Sequence, residues 1–183
     1  MGTPRQDLLD RAIAHVAEHG IADASLRDLA AGMGTSHRML IYHFGNREGL
    51  VAAIVAQVEE QQRQAMVALA ATALSPRALI EAQWAELSAP AMRPFVGLFF
   101  ELVALALRGR PGTEGFLETL TEPWLDLAAE VATRLGADAD RDLLRLGVAV
   151  SRGLLLEAAA SGDIAAATRS LHAYLDAWDA MGR

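Results

Sequence analysis

Cysteine and lysine are both missing from this chain of 183 residues. The first absence excludes disulfides, thiolate metal sites and cysteine nucleophiles, and it fits a reducing compartment. The second leaves arginine to supply all sixteen fixed positive side chains, which reads as compositional bias before chemistry. Strand signals are scarce, because β-branched residues are few and no alternating run survives inspection. The longest near-apolar run, Phe95–Leu107, is short for a bilayer span and contains Glu101. The polar start MGTPRQDLLD does not read as a secretory signal. A cytoplasmic protein with no membrane partner is the expectation.

Excess positive charge is also lacking. The net charge is −7, which by itself argues against a nucleic-acid partner. The deficit is uneven. Residues 1–50 carry five arginines against six acids, whereas residues 51–183 carry eleven against seventeen. Any DNA contact must therefore depend on local placement in the N-terminal part.

What is abundant is alanine and leucine at helical spacing. Leu8, Leu9, Ala12, Ile13, Val16 and Ala17 make one apolar face, and Gly20 is placed to end that helix. Ser25 with Asp28 three residues on resembles a capping box, followed by Leu26, Leu29, Ala30 and Met33 on one face. Gly32 and Gly34 bracket a tight turn, and Thr35 and Ser36 can cap a short third helix through Tyr42. Gly45-Asn46 breaks it. Two short helices joined by a glycine-bearing turn are a helix-turn-helix pattern.

Further on, the spacing predicts a long helix from about Arg47 to Ala73, then others from Ser75-Pro76 to Ser88 and past Pro90 and Pro94 to Arg108. The next is expected near Glu114–Leu135, bent or begun at Pro123, and the last two at Asp140–Ala160 and Ile164–Ala180, the stretch Gly136-Ala137-Asp138 separating the last pair from what precedes. The expectation is an all-α chain of about nine helices, without repeats: residues 1–46 as a helix-turn-helix domain and 47–183 as a helical domain.

The motif GTSHRMLIYHF, residues 34–44, mixes polar heads with large apolar groups. In a helix-turn-helix the second helix enters the major groove and its first turn meets base edges. That turn is Ser36, His37, Arg38 and Met39. Arg38 can give two donors to guanine, His37 can donate or accept, and Met39 offers an apolar contact. Leu40 and Phe44 are expected to point inward. Arg27, Thr35, Tyr42, His43 and Arg47 are the candidates for phosphate, which fixes register without reading sequence; Arg47 also opens a helix whose free N–H groups favour an anion.

Residues 5–55 resemble the DNA-binding domain of the TetR family of bacterial transcriptional regulators. The landmarks are Glu-His-Gly ending the first helix, then Ser-Leu-Arg-Asp-Leu-Ala, Gly-Thr-Ser, Leu-Ile-Tyr-His-Phe and Asn-Arg-Glu-Gly-Leu. One position departs: Ile41 stands where the family usually places a tyrosine whose hydroxyl meets a phosphate. The resemblance implies a DNA-binding head, a C-terminal effector domain and a homodimer.

Two other motifs yield to plainer readings. His15-Val-Ala-Glu-His19 has the H-x-x-E-H spacing of a zinc peptidase, but Gly20 ends the helix at once and no third ligand is evident; no metal or other cofactor is expected. Arg108-Gly-Arg-Pro-Gly112 matches a minor-groove arginine clamp but lies between two helices. No nucleophile–base pair or two-carboxylate site stands out, so an enzyme is not expected.

Trp84, Phe95, Phe99, Phe100, Phe116 and Trp124 gather in the middle of the second part. The resemblance implies an apolar ligand cavity there, with Gln62, Gln83, Glu101 and Arg152 as polar groups able to orient a ligand; solvent exposure, or an ion pair of Glu101 with Arg152, is the plainer account. The last two helices are the dimer candidates, through Leu144, Val148, Leu155, Leu171, Tyr174, Leu175 and Trp178. The whole points to a ligand-responsive regulator, in such families most often a repressor, bound as a dimer to palindromic double-stranded DNA and released by a small apolar or amphipathic effector. The alternative is a helical small-molecule-binding protein that has lost operator recognition.

Overall fold

The computed structural model describes residues 4–20, 24–136 and 140–180. Ala137 and Asp138, part of the expected separator, lie outside them. Among the described residues there are helices and no strands. Nine helices have seven residues or more: α1 (Pro4–His19), α2 (Leu26–Gly32), α3 (His37–Phe44), α4 (Arg47–Ala70), α5 (Pro76–Leu87), α6 (Arg93–Leu107), α8 (Glu122–Arg134), α9 (Arg141–Ser161) and α10 (Ile164–Ala180). A four-residue helix, α7 (Phe116–Thr119), and a 3₁₀ turn (Pro90–Met92) complete the set.

Local chemistry sets the boundaries. Ser25 and Asp28 form a full capping box at α2, each satisfying the other's backbone N–H. Ser75 caps α5, whose first residue is Pro76, a position where the missing N–H costs nothing. The helix expected near Glu114–Leu135, bent or begun at Pro123, begins at Glu122, because Pro123 fits a first turn and not a helix interior. Asp140 opens α9 by accepting from the N–H groups of Asp142 and Leu143.

The chain divides into two compact units. One comprises Met1–Glu60 with Gly97–Leu117, the other Gln61–Val96 with Glu118–Arg183. Helices α4 and α6 each contribute to both. The expected change of domain at residue 46 therefore falls inside the first unit, where hydrogen bonds explain the difference. Asn46 donates through Nδ2 to the Pro111 carbonyl at 2.8 Å, while its Oδ1 accepts from the Gly49 N–H at 2.7 Å. Arg110 pairs with Glu48 at 3.3 Å. Gly112, at φ +96°, lies so close that a Cβ there would stand 2.4 Å from Asn46 Oδ1; no other residue fits. The loop after α6 is thus tied to the start of α4.

In the first unit the buried residues include Leu8, Leu9, Ala12 and Val16 of α1, Leu26, Leu29 and Ala30 of α2 with Met33 after it, Leu40 and Phe44 of α3, Leu50, Val51, Ile54, Val55 and Val58 of α4, and Leu98 and Leu102 of α6; of the expected α1 face, Ile13 is half-buried and Ala17 exposed. Full burial of one such aliphatic side chain contributes roughly 1.5–3 kcal/mol. In the second unit, Trp84 packs with Ala158, Ala167, Leu171 and Leu175, and Ala70 with Leu79 and Val131. Surface ion pairs join its helices: Arg77 of α5 meets Asp176 and Asp179 of α10, and Arg141 of α9 meets Glu122 and Asp126 of α8.

With the 3₁₀ turn included, Pro90–Leu107 is an 18-residue stretch of mean hydropathy 1.5, long and apolar enough to cross a membrane by length and composition alone. The near-apolar run Phe95–Leu107 of the sequence is its C-terminal part. Glu101 within it is engaged in an ion pair with Arg47.

Candidate nucleic-acid interface

Helices α2 and α3 pack on each other across a turn in which Gly34 adopts φ +63° and the Thr35 N–H returns to the Ala30 carbonyl at 2.9 Å. Ser36 caps α3 by accepting from the Met39 N–H at 3.2 Å. The helix runs to Phe44, two residues further than the sequence suggested, and Gly45 at φ +78° ends it.

Leu40 and Phe44 are buried, so the opposite side of this eight-residue helix faces outward. At 100° per residue that side is centred on Arg38 and Tyr42, with Met39 and Ile41 on its flanks. The exposures agree: Arg38 and Met39 are exposed, Ile41 is 42% exposed and Tyr42 79%. Ser36 and Arg27 are exposed as well, and Thr35 is half-buried.

Three expectations change. His37 is half-buried beside the core-facing side, which leaves Arg38 as the central polar group of the first turn. His43 is half-buried on the other flank; its Nε2 is buried without a hydrogen-bond partner, and its ring packs edge-on to Tyr42 at 4.9 Å. That nitrogen cannot reach a phosphate from there. Arg47 is tied inside the unit, Nε donating to the Ala24 carbonyl at 3.0 Å and Nη1 to Glu101 at 2.7 Å.

Sequence reasoning missed Arg5. Its guanidinium lies 5.1 Å from the Phe44 ring centroid, placing an exposed cation at the C-terminal end of α3. No spacing rule in the sequence links residue 5 to residue 44. The His15 and His19 rings stack on each other, centroids 4.6 Å apart, and among the described residues no group of three metal-ligating side chains occurs.

The expected effector residues divide between the units. Phe99, Phe100, Glu101 and Phe116 belong to the first; there Phe99 meets Phe100 and Phe116 edge-on at 5.2 and 6.2 Å. Gln62, Gln83, Trp84, Phe95, Trp124 and Arg152 belong to the second. Glu101 and Arg152 each have partners within their own unit. Glu101 holds Arg47, and Arg152 donates to the Leu120 carbonyl and to Thr121 Oγ1. Gln83 donates to Gln62, Arg63 lies over the Trp124 ring at 5.8 Å, and Trp84 donates to Thr168 at 2.8 Å from within the α10 core cluster.

Of the dimer candidates, Leu171 and Leu175 are buried against the chain's own Trp84 and cannot face a partner. Tyr174 and Leu155 pack on the same cluster. Leu144, Val148 and Trp178 are half-buried. The apolar side chains that α9 turns outward are instead Leu146 and Leu156, 47% and 50% exposed, on a stripe with Ala149 and Gly153.

Comparison with known proteins agrees with this geometry. Residues 8–54, which run from within α1 through the helix-turn-helix to the start of α4, match the model for bacterial regulatory proteins of the tetR family. No curated protein sequence matches the chain. Among solved structures, a TetR-family transcriptional regulator from Pectobacterium atrosepticum is 26% identical over 95% of this chain and 91% of its own, with a TM-score of 0.70. A TetR transcriptional regulator from Legionella pneumophila (17% identical, 96% of this chain and 97% of its own, TM-score 0.70) and the fatty acid degradation regulator FadR from Bacillus halodurans (17%, 96% and 95%, TM-score 0.65) share the fold. Residues 8–54, a capped helix-turn-helix, match the tetR family of bacterial regulatory proteins, and the whole chain shares the fold of solved regulators of that family.

Proposed function

We propose that the chain is a ligand-responsive repressor that binds a palindromic operator as a homodimer and is released by a small apolar or amphipathic molecule. Residues 1–46 would read DNA, and residues 47–183 would bind the effector and the second subunit. The observation that carries the reading is the outward side of α3. A cap-fixed helix held by Leu40 and Phe44 presents Arg38, Met39 and Tyr42 to solvent, the pattern required of a helix that enters a major groove. Arg38 would read a base edge. Arg27, Thr35, Ser36 and Tyr42 would meet phosphates, joined by Arg5; Ile41 offers contact without a hydroxyl.

Two recognition helices about 34 Å apart would match one turn of DNA. The outward stripe Leu146, Ala149, Gly153 and Leu156 of α9 supports pairing through the last two helices, since an exposed apolar patch on a helix face favours association. An effector that binds the form with the wrong spacing would draw the population toward it, and DNA and effector would oppose each other by one coupling free energy of ~1–3 kcal/mol. Helix α4, with residues in both units, would carry the change.

A gel-shift titration with DNA flanking the chain's own gene tests this proposal. A salt-sensitive shift supports it. A chain that has become only a small-molecule binder gives no such shift.

A further inference from the structure

Among the described residues of the second unit, Gln83 is the one polar side chain that is buried, at 8% exposure, and its Oε1 has no hydrogen-bond partner. A buried acceptor left unmatched is destabilising, so a site that keeps one calls for an explanation. The orientation of the amide follows from its neighbours. Gln62 of α4 donates through Nε2 to the thioether sulfur of Met92 at 3.8 Å, and a thioether can only accept. Gln62 Oε1 therefore faces Gln83 and accepts from Gln83 Nε2 at 3.3 Å. The free end of this relay is then an oxygen, an acceptor.

The surroundings narrow the chemistry further. On α4, the residue after Gln62 is Arg63, whose guanidinium lies over the Trp124 ring of α8. Segments of α4, α5 and the 3₁₀ turn thus meet at one amide pair, with α8 reached by the neighbouring Arg63. Among the described residues no cation is fully buried beside Gln83, and the half-buried Arg63 is engaged over the Trp124 ring.

We propose that the Gln62–Gln83 amide pair is the polar recognition element of the effector site, and that it selects a neutral, largely apolar molecule carrying one hydroxyl or N–H donor over the corresponding ether or carboxylate. The donor of the ligand would take Gln83 Oε1, while Gln62 and Met92 hold that oxygen in place. The inference rests on the proposed role of residues 47–183 as an effector domain. One matched hydrogen bond separates donor from non-donor ligands by about tenfold in affinity.

The test uses the full chain and 4-alkylphenols from ethyl to octyl, each beside its methyl ether and the matching 4-alkylbenzoate. Tm and release of bound DNA are read for each. The expected result is that at least one phenol raises Tm and binds about tenfold tighter than its ether, with the benzoate weakest. Gln83→Met keeps the volume and removes the acceptor; it should erase the phenol–ether difference and, without ligand, melt no lower than wild type. Should that variant fail to fold, Gln62→Leu, at a half-buried position, should reduce the same difference by loosening Gln83. Ethers or benzoates that match or exceed the phenols in the wild type, or a difference that survives Gln83→Met, would overturn the assignment. If ethers or benzoates release DNA while phenols do not, the effector-responsive reading stands and the amide assignment alone fails. If no compound of the three classes changes Tm or DNA binding, both fail.

Discussion

Arg47 of α4 donates to Glu101 of α6 at 2.7 Å, with both side chains partly exposed. The same guanidinium reaches the Ala24 carbonyl before α2. One side chain therefore ties three segments of the first unit, with two of its donors committed there rather than to phosphate. A partly exposed pair of this kind contributes modestly, on the order of 1 kcal/mol. Arg47→Ala should lower Tm by about 2–4 °C for a chain of this size. It should leave the slope of log affinity against log salt nearly unchanged, whereas loss of a true phosphate contact would reduce it by about 0.9. Salt titrations of DNA binding by the two proteins separate these outcomes.

Arg38→Ala should behave differently. Arg38 is exposed at the centre of α3's outward side, so its removal should cost ~1–3 kcal/mol of operator affinity and relax specificity at one base pair in each half-site, without a change in Tm. Binding to a panel of single-base operator variants reads this directly. A uniform loss across the panel would make Arg38 a phosphate contact.

The capping box makes a prediction about acid. The Ser25 hydroxyl and then its backbone N–H hold the Asp28 carboxyl below its ordinary value of 3.8. A depressed carboxylate contributes stability that is present above the unfolded value and lost as pH falls through the lower, folded one. Ser25→Ala should therefore melt below wild type at pH 6, and the gap should narrow below pH 3.8, leaving only what the hydroxyl contributes by accepting from the Asp28 N–H. A gap independent of pH would show that the charge of Asp28 does nothing.

Tyr174 carries a buried hydroxyl with no hydrogen-bond partner, and burial raises its ionisation to about 12. A raised value means stability that is full below the unfolded value near 10 and declines as pH rises toward 12. Tyr174→Phe should melt at or above wild type at pH 7 and should flatten the alkaline decline. A large loss of stability on removal of the hydroxyl would reveal a partner for it.

The outward stripe of α9 is tested by charge. Leu146→Glu with Leu156→Glu should leave helix content unchanged, because both side chains are already half in water, and should yield a monomer by sedimentation. A dimer that survives both changes would place the interface elsewhere.

Local signals in the sequence were read well where one residue acts on its neighbours. Ser25 with Asp28, Gly20, Pro76 and the Leu40–Phe44 spacing each act within one or two turns of helix. What could not be read depends on segments far apart in the chain. Arg47 looked like a phosphate contact because nothing within 50 residues announces Glu101. Leu171 and Leu175 looked available to a partner because their spacing suits an interface as well as a core, and only the position of Trp84 decides between the two. The stripe at Leu146 and Leu156 was hidden because α9 is apolar on more than one side, and periodicity alone does not say which side is already covered.

Selection of bound sequences from a random DNA library by the full chain tests the central claim most directly. The account predicts enrichment of one two-fold palindrome, bound with strong salt dependence, and loss of preference at one symmetric pair of positions when selection is repeated with Arg38→Ala. Enrichment of no sequence, or of the same palindrome with undiminished preference by the variant, would contradict it.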